Sequence, residues 1–357
     1  MTGWPVAERI AADDVDPLFA GARLFTSGSG GGSGLASVPV EWLRAVLLET
    51  GPVRLVRPGR ARGWCAAVGF VGAPFLLDEQ LPTGDEVLRA VRRLERWTGR
   101  ELDAVVALNA AGENALLPVI AAAQLGVPLL DADGMGRVFP LVEQTTFALS
   151  GISPTPLAVA GSGGEVVVLD CPANRLEVLL RQTVLSCGGW VVCAGYPADA
   201  RRLGSAGIDG GISRALGVGR WLREGVDGDT VARRLGGRSL GRGKVIDVER
   251  RTARWGSRTL PAAASSVVVR EESGHVLRLE VHNEVLLALD DGGAVASVPD
   301  AIGLLDVPGH QVLGVEDVAI GREVDVVVLP AAQAWRGPRG LALAGPGAFG
   351  LGGPGWP

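Results

Sequence analysis

The densest chemistry in the 357-residue chain lies in one stretch, Asp131-Ala132-Asp133-Gly134-Met135-Gly136-Arg137. It follows the apolar run Gly126-Val-Pro-Leu-Leu130 and leads to Phe139-Pro140 and Thr145-Thr146-Phe147. A buried strand that ends in a polar, glycine-rich loop has this pattern, and ligands of open α/β sheets gather at the carboxyl ends of strands. Asp131 and Asp133 are therefore candidates for activating water or contacting a divalent metal. Glu113, in the loop Asn109-Ala-Ala-Gly-Glu-Asn114, is the candidate third carboxylate. A set made of carboxylates favours a hard, oxygen-loving ion over thiolate-bound zinc. The same residues also have a structural reading, in which Asp131 caps its own loop and Asp133 pairs with Arg137.

Other residue types extend the candidate site. Asn114 offers an amide to a substrate, or a cap to the helix that follows. Arg137, Thr145 and Thr146 offer donors to an anion, and the threonines equally suit a helix start. Gly30 and Gly31 belong to Thr26-Ser-Gly-Ser-Gly-Gly-Gly-Ser-Gly34, whose backbone amides can wrap a phosphate or carboxylate. That loop has no Walker lysine and does not match a dinucleotide fingerprint. Gly72, in Gly72-Ala-Pro74, closes a strand at the same expected end of the sheet.

Composition narrows the function classes. Hydrophobic residues make up 47% of the chain, which is ample for a core and excludes a disordered protein. The net charge of -5, without a basic block, argues against nucleic acid as the main partner. Lys244 is the sole lysine, so Schiff-base chemistry elsewhere is excluded. The four cysteines, Cys65, Cys171, Cys187 and Cys193, form no CxxC and read as core thiols. His275, His282 and His310 show no metal-binding spacing. The longest apolar run, from Ala115 to Leu130, is too short and too broken by Pro118 and Pro128 to span a bilayer. No signal-like start is visible, so the cytoplasm is the expected location.

Strands and helices alternate through the first half. Strand-like runs at Val53–Val56, Ala66–Val71, Asp103–Leu108 and Gly126–Leu130 are separated by helix-like segments such as Gly84–Thr98, with apolar residues at helical spacing. This pattern predicts an α/β N-terminal domain with a mostly parallel sheet, over residues 1–165. Residues 5–25 read as partly helical with a break at Pro17. A hairpin is expected around Gly161–Gly164. From Lys244 onward, short strands with tight turns predict a β-rich C-terminal domain, over 166–357 with a few helices.

These segments, in this order, resemble the S-methyl-thiohydantoin desulfurase-like family. The resemblance rests on Gly21-Ala-Arg-Leu with the glycine loop, Gly72-Ala-Pro74, Glu79-Gln-Leu-Pro-Thr-Gly-Asp-Glu86, Asn114-Ala-Leu-Leu-Pro118 and the Asp131–Arg137 stretch. It continues through Gly207-Ile-Asp-Gly-Gly-Ile-Ser213, Gly243-Lys-Val-Ile-Asp247, Asn283-Glu284, Val298-Pro-Asp300 and Pro346-Gly-Ala-Phe-Gly350. The resemblance implies an α/β domain followed by a β-rich domain. It implies replacement of sulfur by oxygen in a thiohydantoin, with water adding at the C=S carbon and sulfide leaving, and it implicates zinc. Departures from the family pattern fall at polar positions: Gly32-Ser33 stands where an acidic residue is usual, Asn109 where a glutamate is usual, and Gly211 where a threonine is usual. The expected partner is thus a small thiohydantoin- or hydantoin-type molecule, with no nucleic acid and no membrane. The alternatives are a non-catalytic binding subunit of a hydantoinase- or oxoprolinase-type enzyme, an enzyme recruited to secondary metabolism, and association as a homo-oligomer.

Overall fold

The computed structural model describes residues 4–29, 38–74, 76–251, 254–255, 258–259 and 263–351. Its first sheet uses β1 (Arg9–Ile10), β2 (Val53–Val56), β3 (Trp64–Gly72), β4 (Ala104–Ala107), β5 (Leu129–Asp133), β6 (Leu157–Ala160), β7 (Val166–Leu169), β8 (Trp190–Asp199) and β9 (Ile208–Asp209). The order is β1-β2-β5-β4-β3-β8-β6-β7, with β9 beside the end of β5. Strands β2, β5, β4 and β3 run parallel and form the core of the sheet. The two central strands β4 and β5 are buried throughout, as expected of strands covered on both faces. The flanking strands pair antiparallel. Although β7, β8 and β9 follow residue 165, they belong to this sheet. The apolar β8 pairs with β3 along its whole length and carries the expected β6–β7 hairpin.

The helices are α1 (Val15–Ala22), α2 (Val38–Thr50), the single turn α3 (Leu76–Glu79), α4 (Glu86–Thr98), α5 (Leu117–Leu125), the single turn α6 (Thr146–Leu149), α7 (Ala173–Ser186), α8 (Ala200–Ala206), α9 (Gly211–Arg223), α10 (Gly228–Arg234) and α11 (Pro338–Ala344). Pro17 does not break a helix. It sits in the first turn of α1, where a missing N–H removes no intrahelical bond. Helices α1 and α9 cross at backbone distance because Gly21 faces the Ala215 carbonyl and Gly219 faces the Pro17 carbonyl. A Cβ at either position would lie within 2 Å of that oxygen. This contact fixes the start of α9 relative to the sheet.

The second sheet is fully antiparallel. It contains β10 (Arg238–Arg251), β13 (Ala263–Glu271), β14 (Val276–Val281), β15 (Val285–Asp290), β16 (Gly293–Ser297), β17 (Ala301–Asp306), β18 (Gln311–Leu313) and β19 (Glu323–Leu329), with β11 (Arg254–Trp255) and β12 (Arg258–Thr259) as a separate ribbon. Valines and leucines on β13, β14, β15, β17 and β19 bury one continuous core. The chain is thus an α/β N-terminal region joined to a β-rich C-terminal region. The segment after α1 ties them together. Ser27 accepts a bond at its carbonyl from Val285 N–H and another at Oγ from Ile302 N–H, and the Gly28 carbonyl accepts from Val315 N–H. All four cysteines are free, and Cys65, Cys187 and Cys193 are buried. Among the described residues, no helix is long and apolar enough to cross a membrane.

Candidate active site

The two aspartates of β5 point to different fates. Asp131 is 2% exposed, and both its oxygens accept from Ser213, from the backbone N–H at 3.0 Å and from Oγ at 2.6 Å. It caps the N-terminus of α9 across the fold, where an acidic group also meets the positive end of the helix. The carbonyl of Asp131 accepts from Gly210 N–H, so strand and helix start are locked twice. Burial pushes the Asp131 carboxyl above the ordinary range, and the bonds from Ser213 oppose that push.

Asp133 is fully buried. Its Oδ1 accepts from the N–H groups of Met135 and Gly136, which shapes the loop. Its Oδ2 has no hydrogen-bond partner. The charge nearest that oxygen is not Arg137 but Arg214, with Nη2 at 3.9 Å. Helix α9 delivers Arg214 in its first turn, one residue after the serine that Asp131 holds. A Cβ on Gly211 would stand 2.4 Å from Asp133 Oδ2, so only glycine lets the helix come this close. At 3.9 Å, and with an effective dielectric near 20, the attraction is about 4 kcal/mol. Desolvating a carboxylate costs several kcal/mol, and the pair lacks the hydrogen bonds that would offset it. Burial accordingly raises the Asp133 carboxyl, with Arg214 the main opposing influence.

Arg214 lies over the Phe25 ring, 4.3 Å from its centroid, and Nη2 donates to the Gly136 carbonyl at 3.2 Å. Its Nε is buried without a partner. Arg137 is 2% exposed and turns to the C-terminal region, where Nη1 donates to the Asp300 carbonyl. Its Nη2 is also buried and unpartnered. Burial lowers the Arg137 guanidinium to about 10, against the pull of Glu284 and Asp300. Trp335 Nε1 closes the loop by donating to the Met135 carbonyl at 2.9 Å. One acceptor and two donors, all from charged groups, are therefore buried unpaired around Gly136. Buried polar atoms without partners are uncommon in folded proteins, and each one calls for an explanation.

The remaining candidates are placed as follows. Asn114 bridges to β3: its Oδ1 accepts from Phe70 N–H at 2.6 Å and its Nδ2 donates to the Phe70 carbonyl. Thr145 caps α6 by accepting from Ala148 N–H, and its Oγ1 bonds the Tyr196 hydroxyl. Thr146 donates to the Gly134 carbonyl. Glu113 is half-buried in a single 3-10 turn, and the charged neighbours that move Asp131 and Asp133 are Asp209 and Arg214. Gly72 is at the strand end with φ +142°, close against Gly189 and Trp190. Gly30 and Gly31 lie outside the described residues. The sequence reading gave no role to Ser213, Arg214 and Glu284. Ser213 and Glu284 stood in its motifs, and Arg214 is the next residue after one of them.

Zinc does not fit the two aspartates. Asp131 has both oxygens engaged by Ser213, Asp133 offers one unpartnered oxygen, and the charge nearest that oxygen is the Arg214 guanidinium, which opposes a cation. Among the described residues, one group of three potential ligands lies close enough for a single ion: His275, Asp290 and Asp291, at the surface of the second sheet.

A solved crystal structure of a Chromobacterium violaceum protein, a structural-genomics target, is similar to this chain. The match covers 98% of both chains, at 28% identity and a TM-score of 0.76. A comparison with curated proteins finds no match. The family model described as S-Me-THD-like, N-terminal domain, matches residues 13–171, and its companion described as S-Me-THD-like, C-terminal domain, matches 172–354. On these matches, which take in the Asp131–Arg137 loop, the start of α9 and the Asn283-Glu284 turn, the chain belongs to the S-Me-THD-like family.

Proposed function

We propose that the protein is an enzyme that adds water to a ring carbon of a small thiohydantoin- or hydantoin-type molecule. The observation that carries this reading is Asp133 Oδ2, a fully buried carboxylate oxygen with no hydrogen-bond partner, held beside an arginine at the end of a parallel strand. A carboxyl raised by burial is a stronger base when ionised, which suits it to take a proton from water. In the thiohydantoin case the oxygen of water bonds to the C=S carbon while Asp133 takes one proton and the π pair moves to sulfur. The unpaired donors of Arg137 and Arg214 hold that developing anion. The added hydroxyl then gives up its proton and a lone pair of its oxygen closes the C=O bond, while the carbon–sulfur pair leaves with sulfur, which takes up two protons and departs as hydrogen sulfide. The oxygen of water ends on carbon and both its hydrogens on sulfur, so the ring carbonyl product balances. Asp131 acts here as a positioning residue, through Ser213 and the first turn of α9.

The test is a panel of 2-thiohydantoin, its S-methyl derivative and hydantoin, followed by sulfide, methanethiol and ring-opening assays. Release of sulfur or opening of the ring supports the reading. Absence of turnover on all of them overturns it. A second reading, a binding subunit of a hydantoinase-type enzyme, draws on Asn109, a buried neutral amide whose Nδ2 faces the Met135 sulfur at 3.6 Å. Saturable binding without turnover would favour it.

A further inference from the structure

Resting on that reading, we infer that Glu284, from the C-terminal region, completes the site as the group that delivers a proton to the departing sulfur. Glu284 stands in the turn between β14 and β15 and is 5% exposed, although its neighbours His282 and Asn283 are exposed. The preceding Asn283 has φ +97°, a left-handed conformation that non-glycine residues seldom adopt. This strained residue turns the chain so that the carboxyl enters the interior. The next residue, Val285, donates its N–H to the Ser27 carbonyl, so the turn is fixed to the segment that carries Phe25 beneath Arg214.

The charged group facing Glu284 is Arg137 of the loop after β5. Asp300 faces Arg137 in turn through its carbonyl, while its carboxylate is engaged by Ala331 N–H and Arg336. His282 is exposed on the same turn. The loop after β5 thus meets a carboxylate–arginine pair on each side: Asp133 with Arg214, which also bonds the Gly136 carbonyl, and Glu284 with Arg137 of the loop itself. Burial raises the Glu284 carboxyl to about 7, with Arg137 opposing, so it holds a proton for part of its population at neutral pH. Two carboxylates in different environments can divide acid and base work. Asp133 takes a proton from water, Glu284 gives one to sulfur, the proton of the added hydroxyl goes to the departing hydrosulfide as C=O forms, and the cycle closes when the proton on Asp133 passes to Glu284 through a water molecule.

The experiment combines a carbon-13 carboxyl titration with turnover of 2-thiohydantoin, on the full chain, for wild type, Glu284→Gln and Arg137→Met. In wild type one carboxyl, missing in Glu284→Gln, should titrate near neutral pH. It should move to higher pH in Arg137→Met, which removes the neighbouring cation. Turnover should fall as pH rises through the same midpoint. Glu284→Gln should lose that alkaline limb and about 100-fold in rate, with partial rescue in Glu284→Asp. An ordinary carboxylate titration for Glu284, or a Glu284→Gln enzyme with the wild-type rate and pH profile, overturns the inference. If wild type releases no sulfide, the proposed reaction fails, while the carboxyl titration still decides the state of Glu284.

Discussion

Two arginine–aspartate pairs at buried aspartates have opposite geometry. In the second sheet, Arg242 grips Asp325 with Nε at 2.7 Å and Nη2 at 2.9 Å, and Gly228 N–H adds a third bond. Every charge there has its hydrogen bonds. In the first sheet, Arg214 stops 3.9 Å from Asp133, and an oxygen and a nitrogen of the pair stay open. The first arrangement is what a structural ion pair needs. The second forgoes that stabilisation, and the proposed function rests on this difference.

Substitutions break this contrast with effects of decreasing size. Asp133→Asn should lower turnover by at least about 100-fold. Stability should change by under about 1 kcal/mol, because the amide oxygen still accepts from Met135 and Gly136. Parallel assays of rate and urea unfolding check this. The next effect is on pH. Glu284 is raised to about 7 in the folded state, so its contribution is fully present below the ordinary glutamate range and is lost as pH rises from about 4.5 through 7. The loss is about 3 kcal/mol, and Asp131 and Asp133, also raised, act in the same direction. Urea midpoints across that range should fall for wild type and fall less for Glu284→Gln.

Asp325→Ala should cost about 2 kcal/mol without touching turnover. Breaking a buried pair costs more, but Arg242 is about half exposed and water recovers part of the loss. Asp131→Asn should cost about 1 kcal/mol, through the weakened cap on α9. Its turnover should drop roughly tenfold because Arg214 follows the serine that Asp131 holds.

The sequence made the loop legible and its partners hidden. Asp131 and Asp133 announce themselves because strand end, carboxylates and glycines are local signals. Their roles do not, since Ser213 lies 82 residues from Asp131 and only the folded α9 brings it there. The pairing of Asp133 with Arg137 looked natural at four residues apart, yet the loop turns Arg137 away toward Asp300 and leaves Arg214 to face Asp133. Among the strands, β17 carries little local signal, because Ala301–Asp306 is buried on both faces and shows no alternation. Strand β10 is similarly obscured, since its arginines and glycines hide a long, bulged central strand.

The central claim is that Asp133 is left open for a substrate rather than misplaced as a structural residue. The most direct measurement is sulfide release from 2-thiohydantoin by wild type and Asp133→Asn, with the melting temperature of each recorded on the same preparations. The account predicts release by wild type, loss of at least about 99% of it in the variant, and closely similar melting temperatures. Equal release by both proteins, or a variant that loses activity only because it unfolds, would contradict it.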